Sequence, residues 1–258
     1  MSEPILQLRG VSKSFGAVQV LHDVDLTVRA GEVTALVGDN GAGKSTLVKC
    51  VAGIHPIDGG EIVFDGEPVA MTSPADAAKH GIEVVYQDLA LADNLDIVQN
   101  MFLGRERGKP WLLDEADMEQ AARRTLASLS VRTVTSVRTP VASLSGGQRQ
   151  TVAIAKAVLW DSRVVLLDEP TAALGVAQTR QVLDLVRRLA EQGIGVVLIS
   201  HNMADVFEVA DRIATLYLGR MVAEVQTRDV THGQVVELIT AGRSGELGLA
   251  RPEGVVAQ

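Results

Sequence analysis

The sequence predicts an α/β fold: a mixed sheet, an antiparallel β-subdomain at the N-terminus and a helical subdomain inserted into the core. Apolar runs alternate with helical patterns at 33–52 and again at 164–209, which is typical of parallel strands joined by helices. Alternating apolar positions over 5–28 indicate two extended strands. Between about 89 and 159, helical periodicity replaces the strand-like runs, so this stretch is interpreted as the insert.

The composition is that of a globular chain. Of 258 residues, 47% are hydrophobic, and 32 Asp and Glu against 24 Lys and Arg give a net charge of −8. This aliphatic content excludes disorder for most of the chain, and the apolar runs are far shorter than the roughly 20 residues of a membrane span. The acidic balance argues against nucleic acid as a partner. A single cysteine, Cys50, expected in the core, and an N-terminus without an export signal favour the cytosol.

The elements of the first half follow from their patterns in order. They are predicted to be strands at 5–15, 18–28 and 33–37, a helix at 44–52, a strand at 61–64, a helix at 74–80 and a strand at 82–86. Turns at Gly31 and Gly66 separate neighbouring strands. Within the insert, the charged segment 105–110 contains Gly and Pro and is interpreted as a solvated loop.

The second half returns to the alternation of strands and helices. It is predicted to contain a strand at 164–167, a helix at 176–191, a strand at 195–199, a helix at 203–209, hairpin strands at 213–218 and 221–225, and a helix at 230–240. The hairpin is expected to turn at Gly219 and Arg220. Residues 1–241 are therefore expected to form one domain. Residues 242–258, which have four glycines and no clear period, are expected to be a flexible tail.

A glycine-rich segment follows the strand at 33–37. Residues 38–45, GDNGAGKS, match the pattern G-x-x-x-x-G-K-[ST] between a predicted strand and a predicted helix. Backbone N–H groups of such a loop surround phosphate oxygens, the lysine reaches the terminal phosphates and the hydroxyl can bind Mg²⁺. A dinucleotide-binding loop is disfavoured because the third glycine is missing. The residues assigned to ATP are Gly38, Asp39, Asn40, Gly41, Ala42, Gly43, Lys44, Ser45 and Thr46.

Two adjacent carboxylates end the apolar strand at 164–167. One carboxylate, Asp168, can hold Mg²⁺, and the second, Glu169, can orient or deprotonate water, as hydrolysis of a γ-phosphate requires. A strand that ends in Asp-Glu is otherwise an ordinary solvated terminus. The phosphate loop earlier in the chain favours the catalytic interpretation.

A third motif, LSGGQ at 144–148, precedes a predicted helix. Ser145 in this position is ordinarily a helix cap. The alternative is a second anion site, formed by Ser145, the amides of Gly146 and Gly147, and the helix dipole.

In this order, the phosphate loop, LSGGQ and the Asp-Glu strand resemble the motifs of ATP-binding-cassette ATPases, over roughly 6–240. The resemblance implies a P-loop NTPase core with ATP and Mg²⁺ as cofactors. It further implies that Phe15 stacks on adenine, that Gln87 contacts Mg²⁺ or the attacking water, and that His201 contacts the γ-phosphate. The catalytic residues are then Glu169, His201, Gln87 and Lys44, and the Mg²⁺ ligands are Ser45, Gln87 and Asp168.

The resemblance also implies a dimer. In the family, the phosphate loop of one cassette and the LSGGQ of another enclose one ATP, and this chain carries one copy of each motif. Two chains would pair head to tail, with ATP bound in trans by Ser145, Gly146, Gly147 and Gln148. One position departs from the family: residues 172–175 are AALG, and Gly175 replaces an aspartate that often bonds across the dimer.

Residues 86–95 and 170–175 are similar to those of ATPases from bacterial importers of fructose, ribose and xylose. The resemblance implies a subunit on the inner face of the cell membrane, with integral-membrane permease subunits and a periplasmic or extracellular sugar-binding protein as partners. The residues after Thr240 are too few for the regulatory domain that oligosaccharide importers usually add. Three alternatives stay open: an amino-acid importer or exporter, a cassette protein acting on ribosomes or DNA, and a nucleotide-binding regulator without turnover.

Overall fold

The computed structural model of the chain describes residues 3–109, 111–131, 134, 136–245 and 247. Its strands are β1 (Pro4–Phe15), β2 (Val18–Arg29), β3 (Val33–Val37), β4 (Gly59–Phe64), β5 (Glu67–Val69), β6 (Ile82–Val85), β7 (Gly108–Lys109), β8 (Leu112–Leu113), β9 (Val164–Asp168), β10 (Gly195–Ile199), β11 (Arg212–Tyr217) and β12 (Arg220–Gln226). Its α-helices are α1 (Lys44–Val51), α2 (Pro74–Lys79), α3 (Ile97–Phe102), α4 (Glu115–Ser128), α5 (Gly146–Val158), α6 (Val176–Glu191), α7 (Met203–Val209) and α8 (His232–Ala241).

Two sheets organise the fold. The central six-stranded sheet has the order β12-β11-β3-β10-β9-β6, in which β12 pairs antiparallel at one edge and the other strands are parallel. A second, four-stranded sheet has the order β2-β1-β4-β5 and is antiparallel throughout. The predicted mixed sheet and N-terminal antiparallel subdomain are both confirmed.

Both faces of the central sheet are covered, which explains its continuous apolar runs. Along β9, Val165 and Leu167 pack into a core shared with α3, α4, α5 and α6. The alternate residues, Val164 and Leu166, pack into a second core shared with α1 and the antiparallel sheet. Every residue of β3 and β10 is buried, and these strands begin and end where the sequence predicts.

The inserted helical subdomain consists mainly of α3, α4 and α5. Helix α5 connects it to the core, since its buried Ile154 belongs to the apolar cluster that also unites α3, α4 and α6. Each of the three helices begins at a side chain that accepts a hydrogen bond from a backbone N–H three residues later. These caps are Asp96, Asp114 and Ser145.

Two short hairpin segments were not predicted. Strand β5 contains only three residues, one of them Pro68. Strands β7 and β8 pair within and after the segment 105–110, where the sequence predicts only a solvated loop. Strands of two or three residues are too short to show alternation, so the sequence pattern missed them.

The predicted turn of the last hairpin is wrong by one residue. The turn lies at Leu218 and Gly219, because Arg220 already pairs with Tyr217 across the hairpin. Leu218 and Gly219 have φ values of 44° and 77°. Positive φ at both central residues is what the commonest two-residue hairpin turn requires.

The C-terminal segment is described only in part. Of the predicted tail at 242–258, residues 242–245 and 247 lie within the described residues. Ser244 is buried, and Leu247 packs against the core. Within the ranges that the structure describes, no helix is both long and apolar enough to cross a membrane.

Candidate functional site

A cleft of about 330 Å³ lies where the C-terminal end of β9 meets the loop between β3 and α1. Ligands of parallel α/β sheets bind at this edge. The lining residues are Val20, Asn40, Gly41, Gly43, Lys44, Ser45, Thr46, Gln87, Asp168, Glu169 and Ile199. The sequence did not single out Val20 and Ile199, since an apolar residue in a strand carries no motif.

The phosphate loop requires glycine at two positions because it lies tightly against the strands beside it. Gly38 has a φ of 157°, and a Cβ there would lie 2.3 Å from the carbonyl oxygen of Leu216 in β11. Gly43, which precedes α1, has a φ of 105°, and a Cβ there would lie 2.9 Å from Cδ2 of Leu21 in β2. Only glycine allows the backbone to approach this closely.

Lys44 is the first residue of α1 and lies inside the loop. Its Nζ donates hydrogen bonds to the carbonyl oxygens of Gly38 at 2.7 Å and Asp39 at 3.0 Å. Burial lowers the pKa of this ammonium, and nearby carboxylates, that of Glu169 first, oppose the shift. The loop therefore holds a partly desolvated cation next to the cleft, as phosphate binding requires.

Asp168 is the last residue of β9 and pairs with Ile199 of β10. Burial raises the pKa of its carboxyl, the charge of Glu169 raises it further, and Lys44 lowers it. A carboxylate in this situation favours a cation beside it. Ser45 and Gln87 line the same cleft, so the site can offer several oxygen ligands.

Glu169 leaves the strand in an unusual conformation. Its φ is 52°, in the left-handed region that residues with side chains seldom occupy. Its Oε2 lies 2.6 Å from Nδ1 of His201, which follows β10. The Glu169 side chain is 17% exposed and the His201 side chain 73% exposed, so the pair spans from the cleft to the surface. Such a pair can hold and move a proton.

The LSGGQ motif lies at the start of α5, and none of its residues lines the cleft. The Oγ of Ser145 accepts a hydrogen bond from the N–H of Gln148 at 3.4 Å, and Oε1 of Gln148 accepts one from the N–H of Ser145 at 2.9 Å. This is a capping box, so Ser145 is a helix cap. Ser145 and Gly146 are also exposed, and the second anion site stays a prediction.

Two further predicted residues have different surroundings. Gln87 follows β6 and lines the cleft. Phe15 ends β1, is exposed and is not among the residues that line the cleft. Its ring meets that of His55 edge-on, with the centroids 5.1 Å apart, and Nζ of Lys13 lies 5.5 Å from its centroid. Stacking of Phe15 on adenine therefore stays a prediction.

Asp205 joins the segments that follow Glu169 and His201, and the sequence did not predict it. It is buried in the first turn of α7. Its carboxylate accepts hydrogen bonds from Oγ1 of Thr171 at 2.6 Å and from Nδ2 of Asn202 at 3.0 Å. The only signal in the sequence is an acid near a helix N-terminus, where the helix dipole favours acids in any case.

A phosphate loop between β3 and α1, with carboxylates at the end of β9, defines a nucleotide-binding P-loop NTPase. Comparison with known proteins narrows this class. The family described as ABC transporter matches residues 21–172. The chain belongs to the ABC transporter family.

Individual relatives cover most of the chain. It is 46% identical over 248 residues to the fructose import ATP-binding protein of Rhizobium meliloti, and the match covers 93% of this chain and 95% of that protein. It is 44% identical over 245 residues to the xylose/arabinose import ATP-binding protein of Sulfolobus acidocaldarius, and this match covers 95% of this chain and 97% of that protein. A ribose import ATP-binding protein of Lacticaseibacillus paracasei is 40% identical over 233 residues, which span 46% of its length.

Solved structures share the fold. A nucleotide-free ATP-binding cassette from an ABC transporter has a TM-score of 0.81 at 24% identity, covering 93% of this chain and 96% of that one. A dimeric ATP-binding cassette in a post-hydrolysis state with ADP and Pi has a TM-score of 0.72 at 25% identity, covering 86% and 99%.

Proposed function

We propose that this chain is the ATP-hydrolysing subunit of an ABC importer. It would work as a head-to-tail dimer and couple ATP binding and hydrolysis to the entry of a monosaccharide through separate membrane subunits. The observation that carries the hydrolytic part is the 2.6 Å contact between Glu169 and His201 at the phosphate-loop cleft. The transport part rests on relatives that are import ATP-binding proteins for fructose, xylose/arabinose and ribose.

The chemistry follows from the placement of charges. The β- and γ-phosphates of ATP bind at 38–45, where backbone amides and Lys44 balance their negative charge. As the oxygen of a water molecule bonds to the γ-phosphorus, Glu169 accepts the proton of that water. The bond between the γ-phosphorus and the bridging oxygen breaks, and ADP leaves with the electron pair. His201 orients the Glu169 carboxylate and contacts the transferred phosphoryl group.

Mg²⁺ fits the donors of the cleft. The Ser45 hydroxyl, the Gln87 amide oxygen and the Asp168 carboxylate are the hard oxygen ligands that Mg²⁺ prefers, and one carboxylate is common where phosphates supply further ligands. Burial, and then the charge of Glu169, raise the pKa of Asp168, and a bound cation would offset both effects. When bound, Mg²⁺ neutralises charge on the phosphate oxygens.

Ser145 and the amides of Gly146 and Gly147 would bind the γ-phosphate of ATP that the partner copy holds, with Gln148 fixing Ser145. The N-terminus of α5 is exposed, and its helix dipole favours an anion. These residues do not line the cleft of their own chain, which supports a role in trans. The dimeric cassette with ADP and Pi supports pairing of two copies.

The remaining parts of the importer would lie on other chains. Integral-membrane permease subunits would hold this chain at the inner face of the cell membrane, and a periplasmic or extracellular sugar-binding protein would deliver the sugar. The segment after Gln87 suits communication with the permease, because it leads directly from the cleft to α3 of the helical subdomain.

Reconstitution tests this proposal. The chain is assembled with its permease subunits in proteoliposomes, and ATP turnover is measured with and without the sugar-loaded binding protein. We expect turnover to rise with the loaded binding protein and to fall about 100-fold or more in Lys44→Ala, with Lys79→Ala on α2 as the exposed control. ATP turnover that is the same with and without the sugar-loaded binding protein would contradict the proposal. Co-purification with ribosomes or DNA in place of a permease would contradict it as well.

A further inference from the structure

An apolar side chain stands almost fully in solvent beside the LSGGQ motif. Val176, the first residue of α6, is 86% exposed and directly follows 172–175, the segment that ends in Gly175. A β-branched apolar residue at an exposed helix start gains nothing there from helix propensity or from burial. Its position therefore raises the question of what covers it.

The residues on either side of Val176 pack against the LSGGQ motif. A Cβ on Gly146 would lie 3.2 Å from Cδ2 of Leu174, and a Cβ on Gly147 would lie 3.0 Å from Cβ of Gln178. Residues 174–178 therefore pack directly on the start of α5. Val176 lies between these two contact residues in the chain and is exposed, so a surface that covers LSGGQ would come close to it.

A second cavity borders the phosphate loop on the side of His201. Its volume is about 350 Å³, and one wall is formed by 38–40 together with His201. The other wall is apolar and consists of Met203, Val236 and Ile239. Val236, on α8, is 45% exposed, so this wall is open to solvent. Met203 begins α7 and the other two residues lie on α8; we call the three together the α8 apolar wall.

We propose that, in the ATP-bound dimer, Val176 of each copy inserts against the α8 apolar wall of the other. This inference rests on the proposed head-to-tail dimer, and the second copy of the chain is the occupant. When LSGGQ of one copy faces the phosphate loop of the other, the adjoining 174–178 must lie along the rim of that loop. The α8 apolar wall is part of that rim.

The contact would compensate for a side chain that residues 172–175 lack. Gly175 stands where an aspartate often bonds across the dimer in this family, and Val176 would supply an apolar contact at the neighbouring position. Two-fold symmetry produces the contact twice. His201 lies in the same cavity, so burial of Val176 would bring partner atoms beside the Glu169–His201 pair.

Cysteine cross-linking tests the contact directly. The variant Val176→Cys/Val236→Cys is made in the Glu169→Gln background, incubated with Mg²⁺ and ATP, and treated with a diazene oxidant, which takes up the two electrons and two protons released as the disulfide forms. A disulfide requires Cα atoms within about 7 Å. The native Cys50 does not interfere, because it is buried and burial raises the pKa of its thiol to about 11. Val176→Cys/Val18→Cys, with an exposed residue of β2, is the matched control.

The expected result is a covalent dimer that forms with ATP and not without it, and at least about tenfold more slowly in the control. Light scattering is measured on the same samples. If a dimer forms with ATP but does not cross-link, the proposed contact is wrong and the proposed function is unaffected. The absence of any ATP-dependent dimer overturns the proposed dimer and the contact together.

Introducing charges at the two positions tests the contact without cysteine. Val176 is exposed, so the Val176→Asp variant should fold. It should nevertheless weaken ATP-driven dimerisation about tenfold or more, because the new carboxylate would be buried against the α8 apolar wall. Adding Val236→Lys should recover most of the loss. If Val176→Asp dimerises like the parent chain, the proposal is wrong.

Discussion

The contact between Glu169 and His201 gives the clearest expectation for a single residue. His201→Gln keeps a polar side chain but removes the imidazole that lies 2.6 Å from the Glu169 carboxylate and that we propose orients it. We expect turnover to fall about 10²- to 10³-fold while the affinity for ATP changes by less than a few fold. Steady-state hydrolysis and nucleotide binding measure the two effects. His232→Gln, an exposed histidine of α8, is the control, and equal losses in both variants would contradict the assignment.

Asp205 is expected to act as a positioning residue. Its removal in Asp205→Ala leaves the Thr171 hydroxyl and the Asn202 amide without their acceptor, which should lower the free energy of unfolding by about 1–3 kcal/mol. Because those residues follow Glu169 and His201, kcat should fall while KM for ATP stays nearly constant. Urea unfolding and kinetics check both effects, with the exposed Asp184→Ala as control. A change in stability alone would assign Asp205 a purely structural role.

Asp168 should make the nucleotide-free protein less stable at neutral pH. Its pKa is raised in the folded state, mainly by burial, so the folded chain binds this proton more tightly than the unfolded chain. The stability linked to that proton is present at low pH and is lost as the pH rises through the folded pKa. Asp168→Asn should therefore raise Tm at neutral pH, and the difference should shrink on acidification. Thermal unfolding at several pH values measures this difference in Tm, with Asp184→Asn as control. A difference that grows on acidification would contradict the prediction.

Among individual residues, the sequence predicted those that belong to a motif with fixed residue types and fixed spacing. The phosphate loop and the Asp168–Glu169 pair belong to this group, because binding a phosphate, holding Mg²⁺ and activating water each call for particular residue types at set positions. Asp205 could not be predicted, since its partner Thr171 is 34 residues away and the two meet only because β9 and β10 are neighbours. The left-handed backbone of Glu169 likewise has no signal in the sequence.

Among the elements, helix α3 holds the start of the insert in place through one buried side chain. Nδ2 of Asn100 donates to the carbonyl oxygens of Ala92 at 3.0 Å and Asp96 at 3.0 Å, and its Oδ1 accepts from the N–H of Ala92 at 2.7 Å. Asn100→Ala should lower the free energy of unfolding by about 2–4 kcal/mol, because it leaves buried backbone groups without partners. Urea unfolding checks this, and Gln120→Ala, exposed on α4, should change the value by less than about 0.5 kcal/mol. Equal effects would show that the loop does not depend on Asn100.

How well each element could be predicted depended on its burial. Strands β3 and β10 are buried at every residue, so their apolar runs mark both ends clearly. Helix α6 was predicted with its observed bounds because one face is buried and the other is charged. The β7–β8 hairpin is exposed and has two residues a strand, so nothing in its pattern distinguishes it from a loop.

In the proposed dimer, two copies of the chain enclose each ATP. The phosphate-loop cleft and the exposed start of α5 are separate parts of one chain, and the proposal joins them across a dimer. The sequence indicates this pairing only through a resemblance. The proposed contact between Val176 and the α8 apolar wall depends on tertiary packing that no sequence motif records.

We propose that Glu169 activates the water that attacks ATP held between two copies of the chain. The most direct test is the Glu169→Gln variant with Mg²⁺ and ATP, followed by light scattering and phosphate release, with Glu67→Gln on the exposed β5 as control. We predict a stable ATP-bound dimer of twice the chain mass and turnover reduced about 10³-fold or more. Near-normal hydrolysis by this variant, or a chain that stays monomeric with ATP, would contradict the claim.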